Sequence, residues 1–251
     1  MPTPLNGSLM KGFAVLKLFS SDRPEITAAV VSRELGMNAA TAHRFLTTLE
    51  EIGALVSHRR GCYALGLEMV ELGRLAESIN PLATIVQPVI SDVSRELNES
   101  AMACRLGRGG PVCIATVVAA RPISVSVKVG EVLELHASAH GKVWLASLRD
   151  DEIRERFQND SLPAFSANTL TDFGKLREEI ELVRKRGYAQ NRGEHESYIG
   201  AVAVPVKNKE GETILSLSVF GMVDRFDDDL IRRARKQLTS AANQIAQSYR
   251  Q

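Results

Sequence analysis

TAAVVSRELGMNAATAHRFLTTLEEIGALVSHRRGCYAL, residues 27–65, decides the first half of the fold. It predicts a helix, a tight turn, a second helix and a short hairpin. Thr27 is a good N-cap, and Ile26 before it is placed to staple onto the first turn. Val30, Val31 and Leu35 share one face, and Gly36 supplies the left-handed residue that ends the helix. Asn38 caps the second helix. There Ala42, Phe45, Leu49 and Ile52 recur at three- and four-residue steps and predict the buried face. Gly53 closes it. Residues 55–56 and 62–65 predict two strands joined by Ser57, His58, Arg59, Arg60 and Gly61. Helix, turn, helix and basic hairpin in this order describe a winged helix-turn-helix.

The other face of the second helix carries Asn38, Thr41, His43, Arg44, Thr47 and Thr48, with Ala39 and Ala40, and no acid before Glu50. Small residues allow close approach, hydroxyls suit phosphates, and Arg suits guanine edges or phosphate. Double-stranded operator DNA is the expected partner, with Arg59 and Arg60 of the wing lying along the backbone or minor groove. The rival reading is a metabolite-binding protein or enzyme whose winged helix serves protein contacts.

The 251 residues, 44% of them hydrophobic, suffice for two modest domains, and the formal net charge is +1. Residues 1–80 hold eight Lys/Arg and eight Asp/Glu. That balance lacks the basic footprint of a lone DNA-binding module and suits a protein that binds as a dimer or higher oligomer. No run approaches the ~20 apolar residues of a membrane span, and residues 1–13 lack the order of a signal peptide. Three cysteines, Cys62, Cys104 and Cys113, have no metal-ligand spacing, which points to a reducing cytoplasm.

Upstream, Ser8 is placed to cap a helix over 9–19 that turns Leu9, Phe13, Leu16 and Phe19 inward. Residues 65–78 predict an amphipathic helix, and Asn80-Pro81 marks a boundary. The rest alternates. Helices are expected over 84–97, 138–148, 151–157, 171–186 (capped by Thr171, ended by Gly187) and 227–249. Strands are expected over 101–106, 113–118, 123–128, 201–206 and 213–219. Residues 107–110 predict a hairpin turn. The whole is α/β, more closely α+β: a DNA-binding domain over 1–65, a linker helix over 66–80, and an effector-binding and oligomerisation domain over 81–251.

Three segments resemble the IclR family of bacterial transcription regulators. They are TAHRFLTTL (41–49) with YALG (63–66); LHASAHGKVWLA (135–146); and RGY (186–188) followed by Glu194, AVAVPV (201–206) and LSVFG (217–221). The resemblance spans nearly the whole chain in the family's order. It implies a winged helix, a linker helix and a C-terminal effector domain related to GAF and PAS sensors, assembled as a homodimer or homotetramer on a palindromic operator. It implies no enzyme activity and no cofactor. It also implies a pocket for a small-molecule effector. The backbone of Ala139 and His140 would line it. An acid of the family falls at Asn191, a cysteine at Ala201, and two small hydroxyls at Ser218 and Phe220. One hydroxyl is kept, the acid and thiol are lost, and a ring and an imidazole are gained, so a partly apolar organic acid is expected rather than glyoxylate or pyruvate. Val125 and Val127 supply apolar wall.

His136 and His140 are four apart, with His195 and Cys104 elsewhere. No acidic partner sits within the motif, so no metal site is expected, and no local motif activates a cysteine as a catalytic nucleophile.

Overall fold

The computed structural model describes residues 5–20, 22–78, 81–157 and 162–248. The chain divides into two units, residues 1–80 and 81–251.

In the first unit the elements are α1 (Gly7–Leu16), α2 (Ala28–Leu35), α3 (Ala39–Glu51), β1 (Leu55–Arg59), β2 (Cys62–Leu65) and α4 (Leu67–Ser78). Asn6, not Ser8, caps α1: its side chain accepts from Ser8 N and Leu9 N at 3.0 and 3.1 Å. Leu9 and Phe13, expected inward, are 63% and 56% exposed. The helix meets the core only with its C-terminal end, where Val15 is sealed and Leu16, Leu18 and Phe19 pack against it.

Thr27 caps α2 by accepting from Val30 N, and Gly36 at φ 63° ends it. Ile26, expected as a staple, is buried in one cluster with Val31 of α2. It exchanges backbone bonds of 2.9 Å each way with Tyr63, adding a one-residue third strand to the wing. Asn38 caps α3 through Thr41 N at 2.8 Å. The buried row of α3 is Ala42, Leu46 and Leu49, with Phe45 half-buried. Ile52 falls after the last helical turn and is exposed. The wing is tighter than expected: β1 continues to Arg59, and Gly61 at φ 77° makes the turn. A Cβ on Gly66 would lie 2.0 Å from Gly53 O, so glycine is required where α4 leaves the wing.

The second unit contains α5 (Pro81–Leu97), β3 (Ser100–Leu106), β4 (Pro111–Val117), α6 (Ala139–Ala146), α7 (Asp150–Arg156), α8 (Phe173–Arg186), β5 (Ala189–Arg192), β6 (Ile199–Lys207), β7 (Thr213–Met222) and α9 (Asp228–Ser248). Pro81 opens α5, where its missing N–H costs nothing. The strands form one antiparallel sheet in the order β4-β3-β7-β6-β5. Alternation sorts the side chains onto two faces. Leu215, Leu217 and Val219 of β7 and Val202, Val204 and Val206 of β6 face α5 and α9, with Val86, Ile90, Ala234, Leu238 and Ile245 in the same cluster. Each large aliphatic side chain among these stabilises by about 1.5–3 kcal/mol when removed from water. The opposite face holds Met102, Cys104, Ala201, Ala203 and Phe220 against Ala139 and Val143 of α6.

Two further expectations need correction, and one strand was not expected. Residues 123–128 form no strand. Pro122 removes a ladder donor, Val125 O accepts instead from the Ser100 hydroxyl at 2.8 Å, and the bridge to β4 is made by Val132 with Val112. The short strand β5 has no signal in the sequence, since AQNR contains no β-branched residue. Asp172, not Thr171, caps α8, through Lys175 N at 2.8 Å. Tyr249, expected at the end of the last helix, and Asn80, expected at the boundary, lie outside the described residues.

Candidate effector cavity and nucleic-acid surface

On the winged unit, His43, Arg44, Thr47 and Thr48 are exposed along α3, and Thr41 is half-buried. Asn38 is engaged as the cap. The Thr48 hydroxyl donates back to Arg44 O at 2.8 Å, and Thr47 Oγ1 lies 3.3 Å from His43 Nδ1. Arg44 and Arg60 have no ion-pair partner among the described residues. Arg59 differs: Glu25 holds its guanidinium at 2.6 Å. Sequence reasoning misses Glu25, which is far from the wing in the chain and sits in a segment without periodicity.

In the second unit, register brings the separated motifs together. Asn191 of β5 is the cross-strand partner of Ala201 of β6, and Ala201 is the partner of Phe220 of β7. These residues form one row on the face beneath α6. Ser138 caps α6 by accepting from Gly141 N at 2.9 Å. The N–H groups of Ala139 and His140, in the first turn, are left with no intrahelical acceptor. Gly141 is required here: a Cβ would meet Leu135 O at 2.2 Å and Glu134 O at 2.4 Å. The backbone of 134–135 therefore lies tight across that turn.

Between the row and the helix end is a cavity of about 160 Å³. Ala139, His140, Asn191, Ala201 and Phe220 all line it, together with Met102, Val125 and Val127. Ser218 does not. It lies below, its hydroxyl 2.7 Å from His140 Nε2, while Ser216 Oγ lies 2.6 Å from His140 Nδ1 and accepts from Trp144 Nε1 at 3.0 Å. Burial lowers the His140 pKa to about 3, so the ring is neutral. Both its nitrogens are engaged, and it offers the cavity no free imidazole donor. His136, the other histidine of the motif, bonds Pro163 O through Nε2 at 2.9 Å. Among the described residues no three His, Cys, Asp or Glu come together as a metal site.

Glu131, Glu134, His195 and Glu196 also line the cavity; sequence reasoning weighs His195 only as a metal ligand and misses the three acids. Their segments are irregular and carry no periodic signal. No Lys or Arg lines it among the described residues. An anion there depends on N–H groups and the positive end of α6.

A family model for the IclR helix-turn-helix domain matches residues 8–59, and one for the C-terminal part of the bacterial transcriptional regulator IclR matches residues 76–247. The chain belongs to the IclR family. It is a ligand-responsive, DNA-binding transcriptional regulator and not an enzyme. It is 31% identical over 219 residues to the Pca regulon regulatory protein of Pseudomonas putida, covering 87% of this chain and 75% of that one. It is 27% identical over 241 residues to the HTH-type transcriptional regulator KipR of Bacillus subtilis, covering 96% of each. Among solved structures, an IclR-type regulator from Silicibacter superposes with a TM-score of 0.86 at 26% identity over 96% of each chain. An IclR homolog from Microbacterium hydrocarbonoxydans, solved with 4-hydroxybenzoate, superposes with a TM-score of 0.73 at 26% identity over 96% of this chain and 98% of that one. In this IclR-family chain no described helix is long and apolar enough to cross a membrane.

Proposed function

We propose that this regulator senses a small organic acid with one apolar or aromatic ring and represses a catabolic operon until the acid arrives. The observation that carries this reading is the row Asn191, Ala201, Phe220 facing the N-terminus of α6 across about 160 Å³. About 150 Å³ of apolar cavity is enough for a benzene ring. Phe220 and Met102 supply a surface for the ring. The N–H groups of Ala139 and His140 and the amide of Asn191 supply donors for the carboxylate. Glu131 and Glu134 are solvent-exposed at the rim, where their repulsion is screened. The structural relative that holds 4-hydroxybenzoate supports the same class of ligand.

Residues 1–65 read the operator, 66–80 link, and 81–251 bind effector and assemble. Arg44 enters the major groove, with Asn38, Thr41, His43, Thr47 and Thr48 around it and Arg60 on the wing. A homodimer, paired into a tetramer, sets two recognition helices one helical turn apart. The protein works in the cytoplasm, beside its operator. The acid acts by favouring one arrangement of the DNA-binding units, and about 1.4 kcal/mol of coupling lowers operator affinity tenfold.

Calorimetry with benzoate, 4-hydroxybenzoate, glyoxylate and pyruvate tests the ligand class. The ring acids bind more tightly, and Phe220→Ser shifts preference toward the small keto acids. Tighter binding of glyoxylate or pyruvate than of either ring acid overturns the reading.

A further inference from the structure

The side-chain oxygen of Asn191 accepts from Glu194 N at 2.8 Å. A backbone N–H needs an acceptor, so this bond assigns the amide: oxygen toward Glu194, NH2 away from it. The NH2 has no acceptor among the described residues, and Asn191 lines the cavity. Glu194 is itself held from several sides. Lys142 Nζ donates to its two carboxylate oxygens at 2.7 and 2.8 Å, and the Thr169 hydroxyl donates to its carbonyl at 2.6 Å. Lys142 is 1% exposed and Glu194 7%. Lys142 lies one residue beyond Gly141 on α6, whose first turn makes the facing wall of the cavity. The pair therefore ties the two donor-bearing segments of the cavity to each other.

A buried ion pair is a weak source of stability, because desolvation offsets the attraction. Its effect here is on geometry. Resting on the reading of this cavity as the effector site, we infer that Lys142 and Glu194 are positioning residues that fix the Asn191 amide with its NH2 toward the cavity. The site then presents only donors at that point and selects a carboxylate over a carboxamide of the same shape.

The test measures the dissociation constants of benzoate and benzamide on the full chain by calorimetry, with thermal unfolding as a check on folding. Wild type prefers benzoate by about tenfold or more, the scale of one hydrogen bond to a charged group. Asn191→Asp is nearly isosteric. It keeps one oxygen on Glu194 N–H and turns a second acceptor to the cavity, so the preference falls by about tenfold. The double variant Lys142→Met/Glu194→Met removes the pair without leaving a buried charge, and it folds but loses the preference. Glu194→Gln keeps an acceptor for Nζ and retains it. A folded double variant with the wild-type ratio overturns the inference, as does an unchanged ratio in Asn191→Asp, while the effector reading stands. Wild type that binds neither probe overturns the ring-acid reading and the inference with it.

Discussion

The ring Nε2 of His140 lies 2.7 Å from the hydroxyl of Ser218, which closes a network where two ligand contacts were expected. One tautomer satisfies every member. Nδ1–H donates to Ser216, which also accepts from Trp144 and donates to Cys104 O at 3.4 Å, and Ser218 donates to Nε2. No charged group is among these partners. Burial holds the His140 pKa at about 3, below the ordinary histidine value of about 6.5. Between those values the unfolded chain binds a proton that the folded chain does not. The contribution is full above about pH 6.5 and is lost as pH falls toward 3, at up to about 1.4 kcal/mol per pH unit. His140→Gln removes this titration. Urea unfolding at about pH 7.5 and about pH 5 then shows a smaller acid loss in the variant. Equal losses in the two proteins refute the assignment.

Leu46, not Ile52, anchors the recognition helix. Leu46 is sealed at 0% exposure among Val15, Val31 and Leu55, while Ile52 is 61% exposed. Leu46→Ala is expected to cost about 2–5 kcal/mol by transfer and cavity terms. Ile52→Ala should stay within about 0.5 kcal/mol. Hydrogen exchange of the α3 amides in the full chain measures both, and similar effects at the two positions would contradict this packing.

The helical part of the fold was legible where caps and glycines act locally. Thr27, Gly36, Asn38 and Gly187 mark ends that hydrogen bonding within a few residues determines. What could not be read depends on distant partners. Which face of α1 is covered is set by how much of it reaches α2 and α3, and only Val15 does so fully. Residues 123–128 alternate like a strand, but the Ser100 hydroxyl takes the Val125 carbonyl. The cavity was legible where the family motifs fall on one cross-strand row, Asn191 to Ala201 to Phe220. Ser218 is two residues from Phe220 and shares its face, yet α6 lies over it and the His140 ring reaches it first.

On the wing, Arg59 and Arg60 are adjacent in sequence but not equivalent. Glu25 pairs with Arg59 at 2.6 Å and raises its pKa chiefly through that hydrogen bond. Arg60→Ala is therefore expected to weaken operator and random DNA alike and to lower the salt slope by about one. Arg59→Ala should do less. Glu25→Gln frees the guanidinium, so it should tighten binding to random DNA and steepen the salt dependence. Fluorescence anisotropy at two salt concentrations checks this, and a Glu25→Gln protein that binds random DNA no better than wild type would contradict it. Arg44→Ala acts differently: it should cost about 1–3 kcal/mol per half-site on the operator alone.

Leu9, Met10 and Phe13 of α1 and Leu67, Val70 and Leu72 of α4 are large apolar side chains exposed on the winged unit. Scattered exposed apolar residues are common, but several on each of two helices of one small unit suggest a covered surface. We expect a second copy to cover it, because palindromic half-sites need two recognition helices related by a two-fold axis. Phe13→Glu and Val70→Glu place charges on that surface and leave Val15, Leu46 and Leu55 untouched. The double variant should keep its helical content and its affinity for ring acids. Its mass in light scattering at micromolar concentration should fall by half, from dimer to monomer if the effector units do not assemble the chain and from tetramer to dimer if they do. Operator affinity should fall by far more than the loss of any single base contact, because both half-sites must be met together. A double variant with unchanged mass and unchanged operator affinity would show that these helices are not the interface.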